Sequence, residues 1–152
     1  VLALRAPPGE DSWRIAVADP EDRARTVLVL GLRDLSAATS SQSERGLLVD
    51  GRRVGHILDP RTGIPVPRAG SVTVVARSAA EADALATALF VMGPDRGLAW
   101  ASGRGVGVGF LEPAADREGG ARLRLRANRR FSSLVVARRD LVDEVAAPGG
   151  IE

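Results

Sequence analysis

Three residues of this 152-residue chain combine a reactive type with a suggestive spacing: His56, Asp83 and Thr87. Asp83 and Thr87 lie four residues apart, so on a helix they stack on one flank and offer a carboxylate and a hydroxyl to the same ligand. Both are hard oxygen donors. Two are too few for an all-protein cage around Mg2+, which takes about six oxygens in near-octahedral order, so the pair suits a site completed by phosphate and water. The structural alternative is an aspartate solvated on the helix flank and a threonine bonded back to a carbonyl. His56 is the only histidine in the chain. Imidazole exchanges protons near neutral pH, which makes His56 an acid–base candidate, with a purely structural histidine as the other reading. It opens the segment His56-Ile57-Leu58-Asp59-Pro60-Arg61-Thr62-Gly63-Ile64-Pro65, which bends at Asp-Pro and at Thr-Gly.

The elements that must position these residues follow from pattern. Ser78 and Glu81 stand in a capping-box arrangement that predicts a helix starting at Ala79. Ala82, Leu85, Ala86, Leu89 and Phe90 recur at helical spacing and give that helix a buried face, and Gly93-Pro94 ends it. Asp83 and Thr87 flank the apolar stripe near the helix start. Before the helix, Ser71 to Ala76 reads as a strand. Leu47-Leu48-Val49 and Arg52-Arg53-Val54 form a hairpin around Asp50-Gly51, a favoured two-residue turn, which delivers the chain to His56.

Further strands are expected at Val1 to Arg5, Trp13 to Val17 (closed by Asp19-Pro20), Thr26 to Leu32 and from Ser36 to Ser40. Pro94 to Ala101 forms a second short helix with Leu98 and Trp100 as its apolar residues. Gly103 to Phe110 contains no GxGxxG window and reads as a glycine-rich strand packed closely on a neighbour, not as a dinucleotide loop. Arg122 to Arg126 alternates with leucines, so its arginines form a solvated sheet face. Phe131 to Ala137 is expected as the last strand, Asp140 to Ala146 as a short terminal helix, and Pro148-Gly149-Gly150 as a loose end. The resulting class is α+β: a mostly antiparallel sheet of short strands with a packed helix.

Composition narrows the function. The chain is 45% hydrophobic, which matches one globular domain, and its apolar runs are too short to span a bilayer. No Cys is present, so disulfides and thiolate metal sites are excluded. All 21 basic residues are Arg against 19 acids, for a net charge of +2, so the high isoelectric point reflects arginine and not a strong positive field. Aromatic residues are 3% of the chain and Tyr is absent, which argues against a stacking surface for nucleic acid. The chain opens on Val1 with no initiator Met or signal segment and reads as a fragment: residues 1–139 as part of a domain and 140–152 as a tail.

The segments HILDPRTGIPV, SVTVVA and EADALATALFVMG, in this order and spacing, closely resemble the C-terminal half of the ApbE family, the FAD:protein FMN transferases. The resemblance runs from about Ser36 to Gly97. Ala38-Thr39-Ser40-Ser41-Gln42-Ser43-Glu44-Arg45 takes the place of the family's commoner Ala-Thr-Ser-Gly-Asp-Tyr-Glu-Arg; Ser41, Gln42 and Ser43 depart from it, whereas Thr39, Ser40, Glu44 and Arg45 match.

What the resemblance implies is specific. The fold is a partial ApbE-like, T-fold-like domain, and much of the flavin pocket belongs to a preceding half. Asp83 and Thr87 bind Mg2+ together with the pyrophosphate of FAD, the substrate. The loop bearing His56, Ile57, Asp59, Thr62 and Gly63 lies against the flavin nucleotide. Within it Ile57 contacts the nucleotide through backbone or side chain, Asp59 holds the turn, and the Thr62 and Gly63 N–H groups approach phosphate. His56 helps to deprotonate the acceptor, a Ser or Thr hydroxyl of a target flavoprotein, and AMP leaves. Water in place of that hydroxyl makes the same site a FAD pyrophosphatase, and a non-catalytic flavin-binding or structural module is the third reading. Periplasmic export or a lipoprotein anchor is usual for such proteins.

Overall fold

A computed structural model describes residues 1–42, 47–49, 52–115, 121–139 and 141–145. Eleven strands and three helices are found among them: β1 (Leu2–Ala3), β2 (Trp13–Ala18), β3 (Thr26–Leu32), β4 (Leu35–Ser41), β5 (Leu47–Val49), β6 (Arg52–Val54), β7 (Ser71–Ala76), α1 (Ala79–Met92), α2 (Pro94–Ala101), β8 (Gly107–Ala115), β9 (Ala121–Ala127), α3 (Arg129–Ser132), β10 (Val135–Arg138) and β11 (Leu141–Val145). The main sheet has the order β1-β4-β7-β8-β9-β11, and a second sheet the order β10-β3-β2. All pairings are antiparallel except that of β11 with β9.

The main sheet is covered on both faces. Val72, Val74 and Ala76 of β7 point toward Ala82, Ala86, Leu89 and Phe90 of α1. Val75 points the other way, into a cluster with Leu28, Leu30 and Leu32 of the second sheet. This is why Ser71 to Ala76 is apolar or small at almost every position instead of alternating: each of its residues is buried. The chain therefore forms three layers, helices on sheet on sheet, as an α+β domain.

Helix α1 spans the residues that its pattern requires. Ser78 Oγ accepts from the Glu81 N–H at 3.1 Å, while the Glu81 side chain remains exposed, so the serine half of the expected capping box closes. At the other end Gly93 takes a φ of 79°, a left-handed conformation that a Cβ disfavours, and its N–H donates to Leu89 O. The same glycine starts α2, where Leu98 and Ala101 are buried and Trp100 is half-buried under the Arg104 guanidinium. On β9, Leu123 and Leu125 are buried and Arg122 and Arg124 exposed, but Arg126 is drawn in to pair with Asp95 of α2 at 2.6 Å.

Two expectations at the C-terminal side are corrected. Phe131 does not begin a strand: Asn128 Oδ1 accepts from the Phe131 N–H at 3.0 Å and caps the turn α3, so the strand starts only at Val135. The Phe131 ring instead fills the space over Gly109, where a Cβ would stand 2.4 Å from the ring, which accounts for the glycines of β8. Residues 141–145, expected within a short helix, form β11, in parallel register with β9 from Leu141 opposite Leu123 to Val145 opposite Ala127. Pairing with an available sheet edge outweighs a short and weak helical pattern. The sheet thus continues beyond residue 139. The Asp50-Gly51 turn, residues 43–46 and the Pro148-Gly149-Gly150 end lie outside the described residues.

Candidate active site

The flank of α1 presents Asp83 and Thr87 to solvent, one turn apart. Thr87 Oγ1 lies 3.5 Å from the Asp83 carbonyl oxygen and 3.3 Å from Ser40 Oγ. Ser40, near the end of β4, thus adds a third side-chain oxygen. The Thr87 contact to a backbone carbonyl is the one expected of a structural threonine, and with the Asp83 carboxylate on the same flank the three side chains make an open, hard-oxygen donor set. It fits a divalent cation whose other positions are filled by phosphate or water; among the described residues no group of three or more His, Cys, Asp or Glu could hold a metal by itself.

The histidine segment is a tight excursion pinned at its base. Asp59 N–H donates to Ile64 O at 2.9 Å, Val66 N–H donates to Ile57 O at 2.9 Å, and Leu58 bridges to Pro65. The Asp59 carbonyl accepts from the N–H groups of both Thr62 (3.1 Å) and Gly63 (2.8 Å). Those two donors, expected to approach phosphate, are engaged inside the turn in this conformation. The Thr62 hydroxyl accepts from the Ile64 N–H at 3.2 Å.

Asp59 holds the turn through charge. Its Oδ1 accepts from the Arg61 backbone N–H at 2.9 Å and from Arg61 Nε at 3.0 Å. The guanidinium bonds favour the carboxylate and bring its pKa from the ordinary 3.8 down to about 2. The His56 side chain is exposed, as are Leu58 and Ile64. Ile57, expected against the nucleotide, is buried in the α1 core, and both its N–H and its C=O make hydrogen bonds.

What occupies them is Gln42, a residue singled out in the sequence only as a departure. Its Nε2 donates to Ile57 O at 2.8 Å and to Val66 O at 3.1 Å, and its Oε1 accepts from the Ile57 N–H at 3.0 Å. Ser40 of β4 and Gln42, the residue just past the end of that strand, are two residues apart, and one reaches α1 while the other reaches the histidine loop. No hydrogen bond or ion pair among the described residues joins His56 to Asp83 or Thr87 directly; the strand end joins the two halves. The signal that could have revealed this is Gly55, next to His56, where any Cβ would stand 2.2 Å from the Gln42 amide.

A sequence model of the ApbE family matches residues 1–110, which include every residue of this site. The chain belongs to the ApbE family. The FAD:protein FMN transferase of Vibrio cholerae is 42% identical to it over 106 residues, 68% of this chain and 32% of that protein. Among solved structures, the ApbE protein of Thermotoga maritima superposes with a TM-score of 0.71 at 34% identity, over 86% of this chain and 40% of that one. The flavinyl transferase ApbE of Pseudomonas stutzeri, in its apo form, gives a TM-score of 0.62 at 33% identity, over 88% and 39%. The chain thus corresponds to a partial ApbE domain: its matches span 28% to 32% of the length of the first curated relatives. Among the described residues no helix is long and apolar enough to cross a membrane.

Proposed function

We propose that this chain is the C-terminal part of a Mg2+-dependent FAD:protein FMN transferase. The observation that carries the reading is the exposed Asp83 and Thr87 pair on the α1 flank, whose Thr87 hydroxyl meets Ser40 of β4, two residues before the Gln42 that holds the histidine loop. A Ser or Thr hydroxyl of a target flavoprotein attacks the phosphorus on the FMN side of FAD. The bond from that phosphorus to the bridging oxygen breaks, AMP leaves with the electron pair, and the hydroxyl proton passes to the His56 ring. Phosphoester-linked FMN is the product. Mg2+, when bound, neutralises pyrophosphate charge and draws density from the phosphorus.

Asp83 and Thr87 would hold the metal through carboxylate and hydroxyl oxygens, and Ser40 orients the Thr87 hydroxyl. The turn carrying Asp59, Thr62 and Gly63 borders the nucleotide, and the Arg61 guanidinium bonded to the Asp59 carboxylate offsets its negative charge there. If water takes the acceptor's place, the same residues hydrolyse FAD to FMN and AMP.

A fluorescence titration with FAD on the full-length protein, with and without Mg2+, tests this reading. Binding that strengthens with Mg2+, loses its metal dependence in Asp83→Ala and yields covalent flavin on an acceptor protein is the expected result. Free FMN as the sole product identifies a pyrophosphatase. Absence of FAD binding in the full-length protein overturns the enzymatic reading and leaves a non-catalytic module. An Asp83→Ala variant that unfolds removes the ligand assignment, because the side chain flanks the core and does not fill it.

A further inference from the structure

We infer that Gln42 is a positioning residue, which fixes the direction of His56 by clamping the peptide that follows it. A carboxamide has two N–H donors and one acceptor oxygen. Here both donor bonds and the acceptor bond are made, to Ile57 O, Val66 O and Ile57 N–H. The two bonds to Ile57 reproduce what an adjacent strand would supply, and the third reaches the far stem of the loop. The peptide unit between His56 and Ile57 is planar, so holding the Ile57 N–H orients the His56 carbonyl carbon and Cα with it.

The chemistry of the clamp is restrictive. A glutamate at this place still accepts from the Ile57 N–H but has no N–H to give to the Ile57 and Val66 carbonyls. An alanine leaves the Ile57 N–H without its partner and the Val66 carbonyl with the Arg68 N–H alone. The space is equally specific: at Gly55 a Cβ would meet Cδ and Oε1 of Gln42 at 2.2 Å, so glycine next to His56 is what admits the amide. The clamp also registers the loop against the metal-binding flank, because Ser40, two residues before Gln42, bonds Thr87 of α1. The catalytic half of this inference rests on the transferase reading; the structural half does not.

The test compares, in the full-length protein, the wild type with Gln42→Ala, Gln42→Glu, Gly55→Ala and the double variant Gln42→Ala/Gly55→Ala. Three readouts are taken: exchange of the Ile57 amide proton, the NMR resonances of the His56 ring, and Mg2+-dependent AMP release from FAD. In both Gln42 variants Ile57 exchange should quicken, by about tenfold or more in Gln42→Ala, which removes the acceptor of the Ile57 N–H, and by less in Gln42→Glu, which keeps an acceptor but loses both donor bonds. The His56 resonances should shift or broaden. The turnover number should fall by about tenfold while KM for FAD stays within about twofold, since positioning acts on the reacting group and not on uniform binding. Gly55→Ala should reproduce the loss in the wild-type background and add little to Gln42→Ala, the non-additivity of two residues sharing one contact. Unchanged Ile57 exchange in both Gln42 variants overturns the clamp. Faster exchange with unmoved His56 resonances, or with a change in KM alone, overturns the positioning role. A wild type that releases no AMP from FAD sinks the transferase reading, while exchange and the His56 resonances still decide the clamp.

Discussion

At the scale of single residues, the site separates groups that bind from groups that hold. Arg61 bonds the Asp59 carboxylate through its guanidinium and its backbone N–H, which lowers the carboxyl pKa and gives a pH dependence with a definite sign. Its folded pKa lies below the ordinary value, so the pairing contributes fully above about pH 4 and is lost as pH falls from 3.8 toward about 2. A carboxyl-carbon NMR titration should show this midpoint, and Arg61→Ala should return it toward 3.8. His56, exposed and at the mouth of the same turn, is expected to act on the proton. His56→Ala should slow transfer by about 100-fold or more, the range of a lost acid–base group, and change FAD affinity little. Unaltered transfer kinetics would remove it from the mechanism. These chemical types were visible in the sequence at once. The role of Gln42 was not, since a polar side chain bonding backbone 15 and 24 residues away leaves no local pattern.

At the scale of elements, local signals were reliable where they were dense. The cap at Ser78, the stripe through Ala82, Ala86, Leu89 and Phe90, and the stop at Gly93 all concern neighbours in sequence, and α1 runs as they require. Ser78→Ala should therefore destabilise the protein by about 1 kcal/mol, the usual worth of such a cap. A urea midpoint unchanged within error would show that Ser78 contributes nothing. The segments after residue 128 were misread because distant partners decide them. Asn128 anchors to Val106 and Val108 as well as to Phe131, and β11 exists by virtue of the edge of β9. Neither partner can be inferred from the residues of the segment itself.

At the scale of the whole molecule, the main sheet works as a partition. Its α1 side carries the candidate chemistry, and its other side is packed on the second sheet through Leu28, Leu30, Leu32, Val75 and Phe131. Phe131 is fully buried, and truncation to alanine should cost about 3–5 kcal/mol. The loss should appear as a lowered denaturation midpoint with the histidine loop still intact in the folded fraction. A loss below 1 kcal/mol would mean that the layers hold without it.

The partition also makes β4 a ruler. Side chains on one face of a strand recur about every 6.6 to 6.8 Å; Ser40 is the last mark on its face of β4, Gln42 follows just past the strand end, and Ser41 turns to the opposite face, where it bonds Gly70 O. Inserting or deleting one residue between Ser36 and Ser40 would reverse the parity of every later mark. Thr87 and the Ile57 peptide would then lose their partners together. Length changes in this segment preserve the face only in even steps, and even those slide both partners by a full mark.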